Sequence, residues 1–209
     1  EIISLSENKD PHLRAATHSN RADIAASEFR FVQALQEYEN ARKIFEDLYG
    51  SLSAEVLSVR LSIIQTKRAQ PKGKRDPAEV EHLRKIATQL FGEKHPFLEE
   101  FELELASFYR DTSKYRKAEQ IFSEHIKKTS KRYGSTDRRV FSTQLSLANV
   151  LLKMKRDSEA ERILKALIKH AKSRGYLDIL GAGYDQMAEI EESRNDKEAS
   201  LQYHLLRLN

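Results

Sequence analysis

The chain has 209 residues, enough for one or two ordinary domains, and carries 36 Lys and Arg against 32 Asp and Glu, a formal net charge of +4. That balance describes a mixed, solvated surface and not the lopsided charge of a typical nucleic-acid binder. Cys is absent, which removes disulfides, thiolate metal sites and cysteine nucleophiles; mean hydropathy is -0.66, and no apolar run approaches the ~18 residues a membrane span needs.

Residues 1–18 read as an N-terminal arm or the end of a preceding repeat, without the ordered basic and apolar regions of a signal peptide. The chain begins at Glu1 and not at Met, so it is expected to be a piece of a larger chain or complex. Residues 19–49 contain no breaker and place apolar side chains at Ile24, Phe29, Val32, Leu35, Tyr38, Ile44, Phe45 and Leu48. They form either one long helix or a pair with a tight turn near Ser27. Apolar spacing of three and four then predicts helices near 53–69, 77–91, 96–110, 114–133, 136–154, 157–173, 176–193 and 196–208. Polar turns at Asp111–Lys114 and Lys155–Ser158 separate two of the pairs, with Ser113 and Asp157 as expected N-caps.

Glycine sets the period. The steps Leu48-Tyr49-Gly50, Leu90-Phe91-Gly92, Arg132-Tyr133-Gly134 and Arg174-Gly175-Tyr176 place glycines at intervals of 42, 42 and 41 residues. Glycine accepts the left-handed conformation that ends a helix, so the spacing marks a recurring turn. Leu105-Ala106-x-x-Tyr109 returns 42 residues later as Leu147-Ala148-x-x-Leu151, and Ala118-x-x-Ile121 as Ala160-x-x-Ile163. Small residues in both helices permit close approach, and large apolar ones fill the seam. The array is expected over 19–209, with units near 19–50, 53–92, 96–134, 136–175 and an incomplete 176–209.

A small residue in each of two helices, with aromatics around them, resembles the tetratricopeptide repeat (TPR). The 42-residue unit with Phe91-Gly92-Glu93-Lys94-His95-Pro96 at its end is similar to the longer repeats of kinesin light chains. The second unit departs from the pattern, with Ile63-Ile64 at the small-residue position and the segment Gln70–Pro77 between its helices. The resemblance implies an all-α fold of antiparallel helical pairs wound into a right-handed superhelix, an α-solenoid. It also implies a non-catalytic scaffold or adaptor whose first helices line a groove for a partner's peptide segment. By register, Gln65, Arg68, Ser107, Arg110, Asn149 and Lys153 face that groove, beside Ser62, Glu104, Ser146, Gln186 and Glu189. Asn149 and Gln65 can donate to and accept from a peptide backbone, and Arg68, Arg110 and Lys153 can pair with an acidic motif. A second reading, of a different class, is a sensor or regulatory domain within a larger signalling ATPase.

Other clusters point to less. Five basic residues between Lys67 and Arg75 suggest a nuclear-import or phosphate-binding patch, but a solvated loop explains them. Lys127, Lys128, Lys131, Arg132, Arg138 and Arg139 answer a helix dipole. Seven histidines lie at no metal-ligand spacing, and His95 is assigned to the turn before Pro96. Gly181-Ala182-Gly183 lacks the Gly-Lys-Ser of a nucleotide loop and reads as tight interhelical contact. Neither metal nor cofactor is expected, nor nucleic acid. The expected compartment is cytoplasmic, with the nucleus as the alternative.

Overall fold

The computed structural model describes residues 10–71 and 77–208, without the side chain of Leu208. Among the described residues there are ten α-helices and no strand. In order they are α1 (Pro11–Ser27), α2 (Phe31–Tyr49), α3 (Ala54–Ala69), α4 (Ala78–Phe91), α5 (Leu98–Asp111), α6 (Tyr115–Tyr133), α7 (Arg138–Lys153), α8 (Asp157–Arg174), α9 (Leu177–Ser193) and α10 (Lys197–Leu208). They follow one another as five pairs. The chain divides into two compact units, Glu1–Glu104 and Leu105–Asn209, each of which is described by itself.

In the first unit, the segment 19–49 resolves into two helices with a turn at Ser27–Arg30. The first of them starts at Pro11, so the arm expected over 1–18 is helical from that residue on, while 1–9 lie outside the described residues. The start signal is Asp10-Pro11. The Asp10 carboxylate accepts the N–H of His12 at 2.9 Å and of Leu13 at 3.4 Å, and proline at the first helical position has no N–H to leave unpaired. Ala15, Ala22 and Ala25 are wholly buried against Ala34, Tyr38, Ala41 and Phe45. The Tyr38 hydroxyl donates to Asp23 at 2.5 Å across the same seam, and burial together with that carboxylate raises its pKa.

Four inner turns share one geometry. Phe29, Ser113, Lys155 and Asn195 have φ between 59° and 63°, and the N–H after each donates back over five residues. Thus Arg30 donates to Ala25, Lys114 to Tyr109, Arg156 to Leu151 and Asp196 to Glu191, at 2.7 to 2.9 Å. This is the long bond of a Schellman turn. It corrects the expected N-caps: Ser113 is the left-handed residue of its turn, and Asp157 is the first residue of α8. The cap positions fall to Lys114 and Arg156, which make no side-chain cap bond. In the second pair the same register is Pro71, whose ring forbids positive φ. That pair therefore has the longer connection, and Lys72, Lys74 and Arg75 of the basic loop lie outside the described residues.

The outer turns use glycine as expected, with one correction. Gly175 is left-handed at φ 69°, ψ 25°, but Gly50, Gly92 and Gly134 combine φ of 83° to 93° with ψ of 150° to 161°. That region is essentially closed to any side chain. Each of these three turns is closed by a 3.2 Å bond to the glycine carbonyl, from Ser53, His95 and Asp137 in turn. The same three residues then serve the next helix. Ser53 accepts from Val56, the His95 ring from Phe97 and Asp137 from Arg139, which bears out a structural role for His95. Side-chain and backbone bonds from Arg139 hold the Asp137 carboxyl down to about 2.

In the second unit, Ala106, Ala148 and Ala188 recur fully buried in the first helices, as do Ala118 and Ala160 in the second ones. Phe108, Phe122, Phe141, Leu164 and Leu167 fill the space between them, each contributing about 2 kcal/mol or more by leaving water. The bulky Ile63 and Ile64 of the first unit are buried as well. The last pair breaks the apolar rule. Where the fourth pair buries Leu145, Leu152, Leu164 and Leu167, the same registers of α9 and α10 hold Asp185, Glu192, His204 and Arg207. Arg207 donates to Asp185 at 2.8 Å, and His204 Nε2 lies 3.6 Å from Glu192 Oε1, beyond hydrogen-bond reach.

Gly183 packs where expected. A Cβ there would lie 3.0 Å from Ile168 Cγ1 and 3.3 Å from Leu167 Cδ2, whereas one at Gly181 would meet only Arg207 Cγ at 3.8 Å. The two alanine substitutions are therefore expected to have opposite signs. Gly181→Ala gains about 0.5–1 kcal/mol from helix propensity, and Gly183→Ala loses about 1 kcal/mol to overpacking. Urea unfolding of the two variants checks this; equal shifts would remove the close contact between α8 and α9.

Candidate peptide-binding face

The residues named for a groove lie on first helices and fall at two registers of the repeat. Gln65, Ser107 and Asn149 occupy one register of α3, α5 and α7, 42 residues apart. Gln65 is exposed, and Ser107 and Asn149 are half-buried. None of the three makes a side-chain hydrogen bond among the described residues. Neutral amides and hydroxyls that still have donors and acceptors to offer are suited to a peptide backbone.

One turn further on, the cations are engaged. In the first unit, Arg68 Nε donates to Glu104 Oε1 at 2.6 Å and Nη2 to Oε2 at 3.4 Å, tying α3 to α5. Glu104 is only 4% exposed and Arg68 18%, so this pair belongs to the packing. In the second unit, Arg110 donates to Asp111 at 3.0 Å, and Lys153 Nζ donates to Glu189 at 3.0 Å, joining α7 to α9. Lys153 and Glu189 remain nearly half exposed, where such a bridge is worth well under about 1 kcal/mol. Lys153 is thus open to competition from a ligand carboxylate; Arg110, 24% exposed, and Arg68 are less so.

Two other groove candidates are already hydrogen-bonded. Gln186 donates its amide to the Leu145 carbonyl at 3.1 Å, and its buried Oε1 has no hydrogen-bond partner among the described residues. Ser146 donates to the Ser142 carbonyl of its own helix. The sequence reading had the faces of Glu104 and Glu189 but not their partners. The signal was a spacing of 36 residues, since Arg68–Glu104 and Lys153–Glu189 both join a cation to a carboxylate at that distance along the chain.

A separate cleft of about 790 Å3 lies in the first unit, lined by Phe29, Val32, Gln36, Gln70 and Pro71. Phe29 and Val32 are 79% and 82% exposed. A smaller cleft of about 400 Å3 occupies the same register two repeats on, between Ser113, Tyr115 and Met154. Among the described residues no cluster of His, Asp and Glu could hold a metal ion, and no helix is long and apolar enough to cross a membrane.

Helical pairs with a recurring small-residue register and a glycine-marked outer turn define a TPR-like repeat fold. Solved structures share it. The TPR-like repeats of a Podosopora anserina protein described as a kinesin light chain superpose with a TM-score of 0.67 at 15% identity, over 93% of this chain and 92% of that one. BtubC (BKLC) from P. vanneervenii gives 0.55 at 13% identity, over 90% of this chain and 86% of that one. No family model matches the sequence, and no curated protein does. At such identities the likeness concerns the fold. The reading as a sensor domain of a signalling ATPase gains no support from it.

Proposed function

We propose that the chain is a non-catalytic protein-interaction scaffold whose first-helix face holds an extended segment of a partner protein. The observation that carries this reading is the pair Ser107 and Asn149 of the second unit, at one register of α5 and α7 and without side-chain partners among the described residues. Regular donors and acceptors at one register can follow a peptide backbone from repeat to repeat, while Arg110 and Lys153 add a preference for acidic side chains. Membership of a larger assembly and a cytoplasmic site of action accompany this role.

A pull-down from native extract tests it, comparing the wild-type chain with Asn149→Ala/Arg110→Ala. The double variant is expected to lose specific partners by about tenfold or more, in keeping with two lost interactions of ordinary size. Retention of the same partners at the same yield would reject the first-helix face.

A further inference from the structure

The second helices carry a regularity of their own. Lys43, Lys85, Lys127 and Lys169 stand 42 residues apart, one on each of α2, α4, α6 and α8, and all four are exposed. The neighbouring register that is also exposed throughout does not repeat: 47, 89, 131 and 173 are Asp, Gln, Lys and Ser. The lysines lie about two turns before the outer-turn glycine. A helix dipole acts within the last turn, so dipole neutralisation does not account for them.

In the second unit the rungs sit in a field of like charge. Residues 105–174 hold 18 basic and 7 acidic side chains, while residues 1–104 hold 15 and 18. Lys131 follows Lys127 by one turn of α6, and Lys172 follows Lys169 by one turn of α8. None of these four lysines makes an ion pair among the described residues. Most arginines of the chain are neutralised by carboxylates, as Arg156 is by Glu119 and Glu159 and Arg194 by Glu161. Exposed cations that repel one another and lack counter-charges raise the local potential and favour an anionic ligand.

We propose that the second-helix face of the second unit, through Lys127, Lys131, Lys169 and Lys172, docks an acidic segment of a partner protein, at a surface separate from the first-helix face. Nucleic acid fits less well. Its stacked bases look for open aromatic faces, and the Tyr133 ring beside the strip, 38% exposed, has one face taken by the Arg139 guanidinium, 3.4 Å from the ring centroid. A continuous polyanion would also meet Glu124, exposed one turn before Lys127 on α6. Carboxylates set at intervals along a peptide avoid that repulsion and can match discrete lysines.

Fluorescence anisotropy with the whole 209-residue chain tests the proposal, using a labelled peptide of Glu-Gly repeats, its Gln-Gly analogue and an oligothymidylate of equal charge. The glutamate peptide is expected to bind best, with affinity falling steeply as salt rises. Lys127→Glu/Lys169→Glu is expected to weaken it about tenfold or more, and Lys127→Gln/Lys169→Gln by roughly threefold. Lys155→Glu, at an inner turn, is expected to leave it within about twofold. Binding of the charge-reversed variant at wild-type strength, an equal loss with Lys155→Glu, or tighter binding of the oligonucleotide would each overturn the proposal. Loss with the Asn149/Arg110 variant instead would assign the acidic segment to the first-helix face. Circular dichroism confirms that each variant keeps its helices.

Discussion

Arg68→Ala is expected to destabilise the first unit by about 3 kcal/mol, far more than removal of a surface arginine. The reason is the partner it leaves behind. Glu104 is 4% exposed, and loss of the guanidinium strands its charge at a helix interface. The double replacement Arg68→Met/Glu104→Leu removes both charges and fills similar volume, so it is expected to recover most of the loss. Lys153→Ala, which breaks the bridge at the same 36-residue spacing, is expected to cost less than about 1 kcal/mol, because both its groups are nearly half exposed. Amide hydrogen exchange in α3 and α5, alongside urea unfolding, separates these outcomes. An Arg68→Ala cost equal to that of Lys153→Ala would mean that Glu104 is solvated.

The second large effect concerns the outer turns. Gly134→Asn is expected to cost about 2–3 kcal/mol and Gly175→Asn less than about 1 kcal/mol, though both glycines have positive φ. Nothing lies within 4 Å of a Cβ built at either position, so the whole difference is carried by the backbone. Gly175, at ψ 25°, sits in the left-handed well that asparagine tolerates. Gly134, at φ 93° and ψ 150°, sits where a side chain has no well at all. Thermal unfolding of the two variants gives the comparison directly. Equal losses would show that the turns relax to a common shape once glycine is gone.

Much of the fold was legible because its period is written in backbone chemistry. Glycine spacing placed the outer turns, and the buried alanines at 106, 118, 148 and 160 placed the seams. The inner turns were less legible, because their left-handed residue is Phe29, Ser113, Lys155 or Asn195, a set with no common side chain. Polar residues in these turns suggest side-chain caps, but the backbone bond over five residues does the capping. The start of α1 was carried by Asp10-Pro11, a pair of residues with no apolar period before it to draw attention. The candidate faces divided in the same way. The period alone put Gln65, Ser107 and Asn149 at one register. Whether Arg68 is offered to a ligand or spent on Glu104 depends on the neighbouring repeat, which a single helix pattern does not contain.

The charged seam of the last pair has a consequence for how the second unit opens. In repeat folds each pair is held by its own packing and by the pair beside it, so local opening follows the weaker contacts. Between α9 and α10, Asp185, Glu192, His204 and Arg207 stand where α7 and α8 keep leucines out of water. Apolar contact survives salt; these charge pairs are screened by it. The Arg207–Asp185 pair is about half exposed and worth well under about 1 kcal/mol, so α10 is expected to exchange its amide protons before α7 and α8, with only a small further gain at high salt. The unit would behave as a ratchet of unequal teeth, releasing its last helix as a separate step.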